Sequence, residues 1–174
     1  MKKIFLTFAL IASFCAFSQN TKQPFIINHC VDKLTDKEYY FPDTKLICAN
    51  PEKSKGFTIS PNFRAKKETF VQSGFICKNV NIGNCDENDS LIILFEDESK
   101  ITLTSWNKFN CEGNVYFELS NEEYNQLSTK KISVIRFSNG YTHDTFTYSL
   151  KESEKDFFIQ AYTNYKVVEI DCSN

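Results

Sequence analysis

Hydrophobic positions recur with a period of two over much of this chain, and the clearest run begins at Leu91. Leu91-Ile92-Ile93-Leu94-Phe95 is apolar on both faces of an extended strand. That predicts a central strand covered on both sides, since a strand with one solvated face alternates. Glu96-Asp97-Glu98-Ser99 then has the polarity of a turn. Beyond it Ile101, Leu103 and Ser105 share one face, while Thr102, Thr104 and Trp106 share the other. The pattern predicts an antiparallel hairpin. A further strand is expected over 115–120, and the period changes after it. Ser120 and Glu123 have capping-box spacing, Leu119 and Tyr124 have staple spacing, and Leu127 continues the apolar face. These predict a short helix over about residues 121–128.

A second hairpin is expected where Ile132–Phe137 is followed by the turn pair Asn139-Gly140. The simplest two-residue turn sets Ile135 against Asp144. A longer loop sets Val134 against Phe146, Ile132 against Tyr148 and Arg136 against Asp144. The longer loop is preferred because it pairs apolar with apolar and opposite charges across the strands. Ser153, with Asp156 three residues on, predicts a last helix over about 154–164 bearing Phe157, Phe158, Ala161, Tyr162 and Tyr165. "KVVEI" at 166–170 reads as a final strand.

The first third is more irregular. "KLICAN" at 45–50 and "GFTIS" at 56–60 are strand candidates stopped by Pro51 and Pro61, because proline forfeits a ladder hydrogen bond. "ETFVQSGFIC" at 68–77 is a longer strand with a bulge expected at Gly74. The elements add up to an α+β fold, a mostly antiparallel β-sheet with two short helices, in one β-rich domain over 19–174.

The N-terminus changes the chemical setting. Lys2 and Lys3 precede an apolar run from Ile4 to Cys15, and Ala16-Phe17-Ser18 offers small residues for cleavage. Residues 1–18 are read as a signal peptide, so the protein is expected to be exported to the periplasm, the cell surface or the medium. The run is too short for a membrane span. Phe14 before Cys15 disfavours a lipid anchor. Losing Lys2 and Lys3 takes the formal charge from −2 to −4. Mild acidity argues against a nucleic-acid surface, which needs clustered Lys and Arg. The longest apolar run after the signal is Leu91–Phe95, so no later membrane span is expected.

Six cysteines follow the signal: Cys30, Cys48, Cys77, Cys85, Cys111 and Cys172. An even count in an exported chain reads as a disulfide set. No C-x-x-C pair supports a metal reading, and no cofactor motif is present. Six cysteines leave the connectivity open. Cys85–Cys111 is the favoured pair, because the first hairpin brings its flanking segments side by side.

Candidate chemistry is sparse. His143 beside Asp144 could be drawn into a hydrolytic triad, but a triad is recognised by geometry. Asp86, Glu87 and Asp89 in "CDENDS" could offer oxygen ligands to calcium, yet the glycine and distal glutamate of an EF-hand loop are missing. Trp106, Phe109 and Tyr116 could form a binding surface or fill the core.

"MKKIFLTFALIASFCAFSQ" resembles signal peptides of Bacteroidota. "IGNCDENDSLIILFEDESKITLTSWNKFNCEGNVYF" with "LSTKKISVIRFSNG" resembles small exported proteins of that group with no assigned function, over about residues 75–160. The resemblance implies export and a single domain, and supplies no catalytic residues. "DSL" at 89–91 is similar to an O-glycosylation site of that group. The expected function is a secreted or periplasmic, non-catalytic binding module for a protein or glycan partner. The alternative is a hydrolytic enzyme with a site near His143 and Asp144 or in the Asp86–Asp89 cluster.

Overall fold

The computed structural model describes residues 23–66, 69–80, 88–105 and 114–172. Their strands form three sheets. The first sheet contains strands β6 (Ser90–Phe95), β7 (Lys100–Thr104), β9 (Ile132–Ser138) and β10 (Thr145–Ser149), in the order β10-β9-β6-β7. The hairpin expected at 96–99 is present, with Leu91 opposite Leu103 and Ile93 opposite Ile101. Strand β6 is central, as the apolar run implies. Only Leu91, Ile93 and Phe95 are fully buried, and Ile92 and Leu94 are half-buried on the outer face.

The second sheet contains β3 (Leu46–Ala49), β4 (Gly56–Lys66), β5 (Thr69–Val80) and β8 (Asn114–Glu118), in the order β3-β4-β5-β8. Pro61 does not stop β4, contrary to the expectation. The β3 partner ends at the Leu46–Ile59 pair, so Pro61 is paired with β5 alone and its missing N–H breaks no second ladder. The bulge expected at Gly74 falls beside it. Asn62 faces Gly74 and Phe63 faces Gln72, which leaves Ser73 as the extra residue. The two sheets share one core. Phe57 packs on Phe137 with ring centroids 5.6 Å apart, and Phe117 meets Phe137 edge-on at 6.5 Å. All three rings are buried.

The third sheet was not legible as a unit. Strands β1 (Phe25–Asp32), β2 (Lys37–Pro42) and β11 (Tyr165–Glu169) lie in the order β11-β1-β2. The last strand runs parallel to the first, with Ile27 opposite Val167 and His29 opposite Glu169. Pro42 ends β2 at the edge of this sheet, where proline is tolerated.

Helix α1 (Asn121–Thr129) follows its local signals closely. Glu123 N–H donates to Ser120 Oγ, and Ser120 N–H donates to Glu123 Oε2 at 2.7 Å. Leu119 and Tyr124 pack on the core and Leu127 is fully buried. Helix α2 (Phe157–Thr163) starts later than expected, and Asp156 at its N-cap makes no side-chain capping bond. The reason is tertiary. Lys155 C=O accepts from Ile132 N–H at 2.9 Å, so it is committed to β9. Glu154 folds its carboxylate back onto Lys151 N–H and the Tyr148 hydroxyl. Residues 152–156 therefore form turns. Phe158, Ala161 and Tyr162 are buried, and Tyr162 packs on Tyr124 of α1. Tyr165 belongs to β11 instead of the helix.

The second hairpin also has a longer loop than expected. Ile135 faces Tyr148, Phe137 faces Phe146 and Ser138 faces Thr145. Apolar residues still pair, but Arg136 faces Thr147, to whose Oγ1 it donates from Nε at 2.9 Å, and not Asp144. The loop is closed by Asn139 N–H donating to Asp144 C=O at 2.9 Å.

Among the described residues a disulfide joins Cys30 to Cys172. Such a bridge belongs to a protein that matures in an oxidising compartment. Cys48 departs from the expected set: it is a free, buried thiol on β3. Cys77 stands on β5 at the register of Ile59 and Val115. Cys85 and Cys111, the favoured pair, lie outside the described residues. No helix among the described residues is long and apolar enough to cross a membrane.

Candidate functional site

The three-stranded sheet carries the most developed surface. Its sequence begins with a tight turn after β1. The Asp32 carboxylate accepts from Leu34 N–H and from the Thr35 hydroxyl, each at 2.8 Å. The Leu34 N–H, then the Thr35 hydroxyl, hold the Asp32 carboxyl below the usual carboxylate range. Asp36 takes a left-handed conformation at φ 54°, as aspartate tolerates, and its N–H returns to Asp32 C=O at 2.8 Å. The turn is thus ordered by its own side chains, and it holds Leu34 at its tip, 95 % exposed.

Beside that tip lies an open groove of about 530 Å³. Cys30 faces Tyr39 across β1 and β2, and Phe41 lies two residues further along the same face. Ile170 N–H donates to His29 C=O at 2.9 Å, which extends the β11 ladder by one step. The chain then turns so that Cys172 bonds to Cys30, and the bridge lines the groove with Ile170 and Asp171. Tyr39 is 46 % exposed and Phe41 41 % exposed. Several large apolar side chains therefore stand in water around one bridge, an arrangement typical of contact surfaces.

The opposite face of the same sheet holds a polar cluster. His29 stacks on Tyr40 with ring centroids 4.4 Å apart. Its Nδ1 is 2.6 Å from Glu169 Oε1, and its buried Nε2 is 3.6 Å from Glu38 Oε2, beyond hydrogen-bond reach. Tyr40 Oη donates to Glu38 at 3.1 Å, and burial followed by that bond holds the phenol above its ordinary value. The imidazole ties β11 to β1 through Glu169. A histidine–carboxylate pair is half of a hydrolytic arrangement, but the groups around this ring among the described residues are carboxylates and a phenol.

Among the described residues, Asp89 of the acidic segment meets the loop that carries His143 and Asp144, through Gly140 N–H. His143 and Asp144 are exposed in the Asn139–Asp144 loop, and His143 takes φ 60° there instead of lying in a strand. Asp89 is fully buried and accepts from Gly140 N–H at 2.7 Å, so its carboxylate supports a hairpin loop. Ser90 of the "DSL" triplet lies in β6, paired with Thr104 on one side and Ser138 on the other. Asp86 and Glu87, like Trp106 and Phe109, lie outside the described residues. Tyr116 is half-buried on β8. Burial pushes the Cys48 thiol far up, which makes it a poor nucleophile. Among the described residues no cluster of His, Cys, Asp and Glu could hold a metal ion. Sequence reasoning missed Leu34, Tyr39 and Phe41, which the β1–β2 hairpin brings together, and Ile170, which the parallel β1–β11 pairing adds to them.

Comparison with known proteins finds no matching protein family, no matching curated protein and no matching solved structure.

Proposed function

We propose that this protein is an exported, non-catalytic binding module that holds a protein partner through the groove over the Cys30–Cys172 bridge and the Leu34 tip beside it. The observation that carries the reading is an open groove with a highly exposed leucine in its lining. Asp32 commits its carboxylate to keeping Leu34 in water, which forgoes about 1.5–3 kcal/mol of burial. Leu34 lines the groove together with Tyr39, Phe41 and Ile170, and a protein surface could cover all of these exposed apolar side chains together. Exposed Tyr39 and Phe41 suit such a contact, because aromatic residues are enriched at interfaces. A protein is favoured over a glycan because the exposed side chains of the groove include the apolar Val31, Leu34 and Ile170 beside Tyr39 and Phe41, and the Asp32 carboxylate is held by its own turn. Export is supported by the bridge and by the basic and apolar pattern of residues 2–15.

The test compares wild type with Leu34→Ser and Phe41→Ser, using Thr147→Ser on β10 as a distant control. The groove variants should lose capture of a partner protein from the native host while keeping the wild-type melting curve. The control should retain it. Equal capture by all four proteins would remove the groove from the account, and capture of soluble glycan alone would replace the partner class.

A further inference from the structure

We propose that Asn139-Gly140 is a latent deamidation site, held closed by Asp89 and the hairpin loop, which becomes a one-way switch when the β9–β10 hairpin opens. Asparagine followed by glycine is the sequence most open to this chemistry, because glycine offers an unhindered backbone nitrogen. In the reaction the Gly140 nitrogen bonds to Asn139 Cγ. The Cγ–Nδ2 bond breaks, and Nδ2 leaves as ammonia, carrying the proton lost by Gly140. The cyclic imide then takes up one water and opens to aspartate or isoaspartate. Only water is consumed, so no other reactant is needed.

The folded loop opposes the first step at both reacting groups. Asn139 is 1 % exposed. Its Oδ1 accepts from Tyr141 N–H at 2.9 Å, Thr142 N–H at 2.7 Å and the Thr142 hydroxyl at 3.2 Å. Those bonds fix the carboxamide against residues 141 and 142, and ring closure requires it to swing over the Gly140 nitrogen. The Gly140 N–H is meanwhile directed at Asp89 Oδ1, 2.7 Å away. Asp89 is itself fixed, fully buried at the start of β6, with its C=O accepting from Ser105 N–H at 2.8 Å. Each ordinary hydrogen bond that must break slows the reaction about fivefold, so the three on Oδ1 together give about 100-fold protection.

The switch is one-way because the product does not fit. A carboxylate at position 139 would stand in a buried site next to Asp89, and like charges there repel strongly. Isoaspartate would also add a methylene to the backbone of a loop closed by the Asn139–Asp144 bond. An opened hairpin that reacts would therefore stay open.

The test follows isoaspartate and aspartate at position 139 by peptide mapping during warm incubation at mildly alkaline pH. The folded protein should react about 100-fold more slowly than the same chain unfolded in urea. Asp89→Ala should accelerate the folded protein, and Thr142→Val, which removes one bond on Asn139 Oδ1 and the acceptor of Asp144 N–H within the loop, should do so by at least about fivefold. If Asp89→Ala does not fold, Thr142→Val gives the reading alone. A folded rate equal to or above the unfolded rate would overturn the proposal, since Asp89 would then be acting as a base. So would a Thr142→Val rate unchanged from wild type.

Discussion

Replacing both Cys30 and Cys172 with alanine should reduce stability by about 5 kcal/mol, a value set by where the bridge lies in the chain. The two residues are 142 apart in sequence, so the bridge closes nearly the whole described chain into one loop. Loop-closure entropy grows with the logarithm of loop length, and a loop of that size gives about 5 kcal/mol near 25 °C, acting mostly on the unfolded chain. In the folded state the bridge is not the only link between the chain ends. Strand β11 remains hydrogen-bonded to β1 from Phe25 to His29, and His29 still meets Glu169. The double variant should therefore fold to the same structure. Equilibrium urea unfolding followed by far-UV circular dichroism measures the loss. Thermal unfolding should show a midpoint lower by about 15 °C for a domain of this size. A loss below about 1.5 kcal/mol would refute the reasoning, because the unfolded chain would then gain little freedom from cutting its longest loop.

Removing the capping hydroxyl with Ser120→Ala should cost about 1 kcal/mol in the same assay, since Glu123 N–H loses its acceptor. Phe137→Ala, at the meeting point of the two four-stranded sheets, should cost about 3–5 kcal/mol. The Lys130 ammonium, with the Ser99 hydroxyl next, holds the Asp97 carboxyl down at about 2, and Lys130→Ala should move its NMR titration midpoint back up. Because that value is depressed on folding, the pair contributes above the ordinary carboxylate range of about 4, and its contribution disappears as pH falls towards 2. His143→Ala, in an exposed loop, should change stability by less than about 0.5 kcal/mol, as urea unfolding will show.

Elements whose causes are local were readable from the residues. The capping box of Ser120 and Glu123 and the staple of Leu119 and Tyr124 lie within one turn of the helix they start, so α1 could be placed almost to the residue. The β6–β7 hairpin was readable for the same reason, through its alternation and four-residue turn. Features fixed at a distance were not. The β9–β10 register depends on Asn139 closing its own loop and on Asp89, fifty-one residues away, receiving Gly140. The delayed start of α2 depends on Lys155 C=O being taken by Ile132. The far wall of the groove was hidden most completely. Cys30, Tyr39 and Phe41 are joined by the neighbouring β1–β2 pairing, but Ile170 reaches them only because β11 lies parallel to β1, and a five-residue strand carries no local sign of a partner so far away. The sequence pointed instead to Trp106, Phe109 and Tyr116, where clustering of aromatics along the chain was the only available signal.

The central claim, that a protein partner seats on the groove and the Leu34 tip, is tested most directly by site-specific photo-crosslinking in the native host. A photo-reactive residue is placed at position 34, at position 41, or at position 147 on the distant β10 strand. Positions 34 and 41 should give an adduct with the same partner protein, position 147 should give none, and Phe41→Ser should abolish the adduct at 34. An adduct at 147 with none at 34 or 41 would contradict the account and move the binding surface to the outer face of the β10-β9-β6-β7 sheet.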